Sequence, residues 1–342
     1  MAYNEQCFVQ IEEILLGEGF KESAIKHMRN AYNEPHRFYH NNDHLQDLCT
    51  KIHRSPCIND SEKALLLIAA GYHDIVYDPK SKTNEKDSLE FFIKDAKESK
   101  YFNEEPLIKI VSDIITSTAS REKPKEYLAK TFWEFDNDIL LQPFNVLLGY
   151  ELKIYKEFQF VDYPTYVRER TDFLIRESIH NENEHLSILA DFVKGRRPSV
   201  GLYPGSFDPF HKGHLNILEK AERMFDKVII VKGHNPDKTG ALLDSILRTP
   251  QVILNRQIIE WDGLTTDLMK NISSHSEVTL IRGLRDGKDL DYEINQLRFM
   301  EDMYKDLNVC FIHCDKEFEH ISSSAIKKIN TFSHTEALKY LP

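Results

Sequence analysis

Two sets of residues in this 342-residue sequence have the types and spacing that chemistry requires. The first is GLYPGSFDPFHKGH, Gly201 to His214, which reads as a strand, a tight turn at Pro204 and Gly205, and a helix opening on His211, Gly213 and His214. A helix start offers unpaired N–H groups and a partial positive charge, and together these bind phosphate. The two histidines add side-chain donors to the same anion. Further on, EVTLIRGLRDGKDLDYE sets Arg282 and Arg285 just past a strand's carboxyl end, where open α/β sheets bind ligands. Their guanidinium forks match phosphate oxygens. Near the end, EHISSSAIKKI places three hydroxyls before a helix, as caps or as further anion donors. The plainer alternative for each is a satisfied histidine, a solvated loop charge and an ordinary cap.

The second set lies in RFYHNNDH, Arg37 to His44, and GYHDIVYDP, Gly71 to Pro79. His73 and Asp74 close the apolar run KALLLIAAGY, and such a pair points inward at a cost unless it is partnered or bound to metal. His40, and Asp136 of FWEFDND, complete a nitrogen and oxygen set suited to a transition metal or Mg2+. A helix-capping His–Asp hydrogen bond is the alternative. Cys310, His313 and Cys314 are close in sequence, but VCFIHC alternates like a buried strand and no second ligand pair lies nearby.

The elements that must position these residues differ between the two halves. From Asn4 to about Val193, apolar residues recur every three or four positions, as in VQIEEILLGEGF and LIKIVSDIITST, which predicts an all-α domain over 1–195. After KGRRPS the runs SVGLY, KVIIVK, EVTLIRG and NVCFIHC alternate with helical patterns. That alternation predicts an α/β domain with a parallel sheet over 196–342. A net charge of −11 argues against a general nucleic-acid or anionic-membrane binder. No run approaches the roughly 20 apolar residues of a membrane span, no secretory leader pattern opens the chain, and five scattered cysteines suit a reducing compartment better than a disulfide framework. A cytoplasmic location is the expectation.

YPGSFDPFHKGHLNILEKAERMFDKVIIV, then NPDK, WDGLTTDLMKN, LIRGLRDGKDLDYEINQL and FEHISSSAIKKI resemble the phosphopantetheine adenylyltransferases in order and spacing over about Ser199 to Pro342. The resemblance implies a Rossmann-like nucleotidyltransferase that moves the adenylyl group of ATP, with Mg2+, to 4'-phosphopantetheine. By motif, His214, Ser206, Arg285 and Lys238 are the catalytic residues. His211, Ser206, Phe207, His214, Gly283, Leu284, Arg285, Glu293, Phe318, Ser322, Ser323 and Ser324 meet ATP, and Ser206, Lys238, Thr265 and Arg282 hold phosphopantetheine. Relatives usually carry Thr where this chain has His211, so another phosphorylated acceptor stays open. A homo-oligomer is implied; the family's hexamer is not carried over, because the chain ends at YLP.

RFYHNNDHL, AAGYHDIVYDP with NEKDS, FDNDIL and the tail with YVRER resemble the metal-dependent HD-superfamily phosphohydrolases over about residues 5 to 190. That resemblance implies an HD-type helical domain with His40, His73, Asp74 and Asp136 as ligands of a divalent metal (Mn2+, Fe2+, Mg2+ or another). Asn84 and Glu85 are implied as nearby contacts, and Asp138 as a weaker candidate. Arg121 stands where relatives carry His, which implies a single metal ion. A non-catalytic sensor role for this half is the alternative.

Overall fold

The computed structural model describes residues 6–233, 251–285 and 287–342. By its contacts the chain divides into two compact units, Met1–Glu157 with Phe173–Leu189, and Phe158–Asp172 with Ala190–Pro342. The change of sequence pattern near 195 therefore does not coincide with the division by contacts: a stretch of helical chain before it belongs with the α/β unit. Among the described residues, no helix is long and apolar enough to cross a membrane.

The first unit is helical. Its helices are α1 (Gln6–Gly17), α2 (Glu22–Ala31), α3 (Asn42–Arg54), α4 (Asp60–Tyr72), α5 (Asn84–Lys97), α6 (Glu105–Ser117), α7 (Tyr127–Asp136) and α8 (Phe144–Glu157). Helices α9 (Tyr163–His180) and α10 (Glu184–Gly195) are each divided between the units. At the centre is α4, whose residues Leu66 to Tyr72 are all buried, so it reads as an unbroken apolar run where a surface helix would show one stripe. Its start is fixed by a capping box between Asn59 and Glu62. Gly71 has no side chain because a Cβ there would come within 2.8 Å of the Met28 sulfur of α2.

Cys7 of α1 and Cys49 of α3 are disulfide-paired in this core, with Cα atoms 6.1 Å apart, while Cys57, Cys310 and Cys314 are free thiols. One pair thus stands where the scattered cysteines suggested a reducing compartment over a disulfide framework. Helical periodicity brings Cys7 and Cys49 to facing surfaces of two helices 42 residues apart, and sequence spacing does not reveal it.

The second unit is a five-stranded sheet in the order β3-β2-β1-β4-β5, with every pairing parallel. The strands are β1 (Ser199–Gly205), β2 (Lys227–Gly233), β3 (Gln257–Trp261), β4 (Glu277–Leu284) and β5 (Val309–His313). The helices are α11 (Lys212–Glu222), α12 (Thr265–Ser273), α13 (Gly287–Met303), α14 (Ser323–Asn330) and α15 (His334–Leu338). Side chains alternate between the two faces, as pleating requires. Tyr203, Val228, Ile230 and Ile281 pack with Ile217 and Leu218 of α11 on one face. Val200, Leu202, Ile229, Val231 and Leu280 pack with Leu268 and Met269 of α12 on the other.

The early helical stretch of this unit is fastened to the amino ends of the strands. Asp226 accepts from the backbone and hydroxyl of Ser199 and pairs with Arg196 at 2.6 Å. Buried Lys227 donates to the Val161 carbonyl, and burial pushes its ammonium down to about 7.

Candidate functional sites

In the second unit, the carboxyl ends of β1 and β4 open into a 490 Å³ cavity, within the roughly 300–1,000 Å³ of small-molecule sites. Chain reversal at the switch between β1 and β4 makes this crevice, and the strand order puts it where such sheets bind ligands. The turn after β1 is tight. Phe207 has a φ of +44°, a left-handed conformation that is rare for a bulky residue. Gly205 makes room for it, since a Cβ there would meet the Phe207 ring at 2.8 Å.

The start of α11 differs from the simple anion-binding terminus that the sequence suggests. His211 is its N-cap, and its Nδ1 accepts from the His214 N–H while the His214 Nδ1 accepts from the His211 N–H, each at 3.3 Å. The two rings stack with centroids 3.6 Å apart. The Lys212 N–H donates to the Tyr340 carbonyl. Three amides of that helix start, those of His211, Lys212 and His214, are thus used inside the protein, and Gly213 also lines the cavity. Because both Nδ1 atoms accept, a neutral ring at either position carries its proton on Nε2. The donors this helix start turns toward the cavity are imidazole Nε2–H groups more than backbone. Burial, helped by the Arg285 guanidinium, pushes His211 down to about 4, so this ring is neutral at neutral pH.

Across the cavity, Arg285 is gripped by Asp289 of α13. Its Nε and Nη2 donate to the two carboxylate oxygens at 3.0 Å, and its own N–H donates to Oδ2. Arg282 lies against Glu293 at 3.0 Å, yet its buried Nε and Glu293 Oε2 fail hydrogen-bond geometry. The remaining wall is pinned to the turn after β1. Ser322 caps α14, Ser323 donates to the Pro209 carbonyl, and Lys327 pairs with Asp208.

Of the residues that resemblance assigns to this site, His211, His214, Ser206, Phe207, Arg282, Gly283, Leu284, Arg285, Glu293, Phe318, Ser322, Ser323 and Ser324 line one cavity. Thr265 begins α12 after β3 and is not among its lining residues. Lys238 lies outside the described residues. Sequence reasoning assigned no role to Tyr203, Asp289 and Cys314, which also line it; the i, i+4 spacing of Arg285 and Asp289 was the available signal.

In the first unit, α4 ends at the His73–Asp74 doublet, where the helix dipole's negative end favours a cation. His73 Nδ1 donates to the Ala70 carbonyl, so neutral His73 turns the lone pair of Nε2 outward. Around that atom stand Asp74 Oδ2 at 3.0 Å, His44 Nε2 at 3.3 Å and Asp136 Oδ1 at 3.8 Å. His44 Nε2 is 3.2 Å from Asp136 and 3.9 Å from Asp74. Atoms of His44, His73 and Asp136 converge within 4.8 Å, as a bound cation requires. Two imidazole nitrogens and two carboxylates fit a divalent transition metal.

Electrostatics points the same way. Burial works against the imidazolium of His73, but the Asp74 and Asp136 carboxylates override it and push His73 up to about 9. Burial would raise Asp74, yet the His73, His40 and His44 rings hold it far below the usual carboxylate range. Arg37, itself buried, braces the doublet by donating to the Asp74 and Ile75 carbonyls.

His40, placed in the ligand set by resemblance, stands apart from these atoms: its Nδ1 is 2.7 Å from Glu157 Oε2. Burial disfavours its charge, and Glu157 more than compensates, so its pKa is raised. The geometry puts His44, four residues on and inside the first turn of α3, in the place expected for His40. The RFYHNNDH motif contains both, and spacing alone does not choose between them. Asn84 clasps the Asp78 backbone from both sides, Asp138 is held by Lys51 and Gln142, and Arg121 is exposed.

The cytidylyltransferase-like family model matches residues 202–329. A phosphopantetheine adenylyltransferase of Leuconostoc citreum is 32% identical over 152 residues, 42% of this chain and 92% of that protein. One from Thermosynechococcus vestitus is 31% identical over 138 residues, 39% of this chain and 80% of that protein. One from Clostridium tetani is 32% identical over 139 residues, with 39% and 85% covered.

Proposed function

Because its second unit makes this chain a member of the phosphopantetheine adenylyltransferase family, we propose that it transfers the adenylyl group of Mg2+-ATP to 4'-phosphopantetheine, releasing pyrophosphate and dephospho-coenzyme A. What carries the reading is the cavity at the β1/β4 switch, where two Nε2–H imidazoles and two arginines line one crevice. An acceptor phosphate oxygen attacks the α-phosphorus, and the bond to the bridging oxygen of pyrophosphate breaks. The attacking phosphate is already anionic, so no strong base is needed; the protein aligns the reactants and offsets developing charge. His214 donates to the transferring phosphoryl group, Arg285 neutralises the departing pyrophosphate, and Arg282 holds the acceptor phosphate. Ser206 meets both substrates at the turn.

Incubation with ATP, 4'-phosphopantetheine and Mg2+, with products identified by mass, tests this. Dephospho-coenzyme A supports it; adenylylation of nicotinamide mononucleotide but not of phosphopantetheine replaces the acceptor and leaves the transfer.

The first unit favours a second activity, a metal-dependent phosphohydrolase of HD type, and what supports it is the His44, His73, Asp74 and Asp136 cluster. These residues would hold a divalent metal, which would supply an acidified water as the nucleophile for a phosphate ester. Residue contributions are plain: His73 is oriented by Ala70, Asp74 by the Arg37-braced turn, and their charge selects a cation. Metal content and phosphatase turnover of the full chain, with and without His73→Ala, test this. Unchanged phosphatase activity in that variant rejects it, and a variant that alters only adenylyl transfer favours the sensor role.

A further inference from the structure

Beside the cavity of the second unit, two segments 99 residues apart are clasped through one side chain. Asn216 of α11, 9% exposed, accepts from the Asp315 N–H through Oδ1 at 2.9 Å and donates from Nδ2 to Asp315 Oδ2 at 2.7 Å. Both amide atoms are thereby assigned, the oxygen to an N–H and the nitrogen to a carboxylate. Lys220, four residues on and so on the same face of α11, donates to Asp315 Oδ1 and to the His313 carbonyl, each at 2.7 Å. These donors, Lys220 first and then Asn216, hold the Asp315 carboxyl below the usual carboxylate range. Asp315 precedes the short 3₁₀ turn Lys316–Phe318, yet its side chain does not cap that turn. Its carboxylate serves α11 instead. The Asp315 side chain is half exposed, so the clasp adds little to stability; its worth lies in what it aligns. His214 and Ile217 flank Asn216, Cys314 and Phe318 flank Asp315, and all four line the cavity. The Phe318 carbonyl comes within 3.7 Å of where a Gly213 Cβ would stand. The clasp therefore sets how closely these two walls approach.

We propose that Asn216 and Asp315, with Lys220, are positioning residues for adenylyl transfer, holding the start of α11 and its His214 in register with the wall formed by residues 318–324. This rests on the adenylyltransferase reading above. The wall meets ATP from one side and His214 meets the transferring phosphoryl group from the other. A shift of one against the other leaves ATP bound but turns its α-phosphorus out of line with the attacking oxygen. Misplacement by about 1 Å costs on the order of 10²-fold in rate. None of the three residues touches substrate; each acts through the segment it holds.

The test uses the full chain with Mg2+, ATP and 4'-phosphopantetheine, and follows pyrophosphate release. Asn216→Asp sets two carboxylates against each other and should lower kcat about 10–10²-fold. The KM for ATP should move less than about threefold, the pattern of an interaction felt in the transition state. Lys220→Gln removes one donor without adding repulsion and should lower kcat less, again with KM nearly unchanged. Asn216→Asp combined with Asp315→Asn once more pairs an amide with a carboxylate, and kcat should return to within about threefold of the wild type. A KM for ATP that rises as far as kcat falls, or a double variant that is folded by circular dichroism and does not recover kcat, overturns the positioning role while the transfer reading stands. If Asn216→Asp does not fold, Lys220→Gln and the double variant decide by the same criteria. A wild type that releases no pyrophosphate with either 4'-phosphopantetheine or nicotinamide mononucleotide overturns both.

Discussion

His73 and His211 are buried histidines, 1% and 5% exposed, each at a helix terminus, and their surroundings drive them apart. At His211 burial acts alone with a nearby guanidinium, at the positive end of α11, and the ring goes down to about 4. At His73 the same burial is overruled by Asp74 and Asp136, at the negative end of α4, and the ring goes up to about 9. One residue type is therefore a neutral N–H donor in one unit and a ring drawn toward positive charge by two carboxylates in the other. The helix end and the counter-charges decide which, and both are consequences of where the chain turns.

The sharpest break of this contrast removes a counter-charge. Asp136→Ala should reduce bound divalent metal, measured by mass spectrometry, from one ion per chain to nearly none and abolish phosphatase turnover, while adenylyl transfer persists. Two tightly held ions in the wild type would contradict the single-ion expectation drawn from Arg121. In the other unit, His214→Ala removes an aimed donor without touching the cation seat. Adenylyl transfer, followed by pyrophosphate release, should fall about 10²–10³-fold, as for loss of one preorganised donor, with metal content unchanged. Loss of metal in that variant would mean the two sites are not independent.

Asp289→Asn should act more gently. It keeps the shape of the side chain but weakens the fork that holds Arg285. The pair is partly exposed, 46% and 25%, so its worth is about 0.5–1 kcal/mol, a two- to fivefold rise in the KM for ATP with little change in kcat. A larger fall in kcat than in affinity would show that Arg285 acts mainly on the transition state.

The two sites were not equally legible in sequence. In the second unit the strand, turn, cap and both imidazoles lie within fourteen residues, so local pattern recovers them; the parallel sheet followed from alternating β-branched and helical runs. In the first unit the helices were readable from periodicity, but the site joins residues from α3, the end of α4 and the end of α7. Choosing His44 over His40 needed the helix start at Asn42, and Glu157 gave no local sign, since its partners are 80 to 119 residues away. The reciprocal histidine cap was also hidden, because an N-cap acceptor is usually sought among Ser, Thr, Asp and Asn.

That cap supplies the smallest and most specific test. A threonine in place of His211 keeps a side-chain acceptor for the N3 amide at a capping difference of less than about 1 kcal/mol, so His211→Thr should preserve α11, and adenylyl transfer should fall only through loss of the Nε2–H donor. Its signature is in the pH dependence of stability. Wild-type His211 has a folded pKa of about 4 against an unfolded value of about 6.5. Between these values the unfolded chain binds a proton that the folded chain refuses, so this group's contribution to stability falls as pH drops, by up to about 1.4 kcal/mol per unit. The threonine hydroxyl of the variant does not titrate in this range. Urea midpoints of the two proteins should therefore lie close at pH 7.5 and diverge toward pH 5, with the wild type the less stable. Parallel curves over that range would show that Arg285 and burial do not hold His211 neutral, and the contrast with His73 would lose one of its two poles.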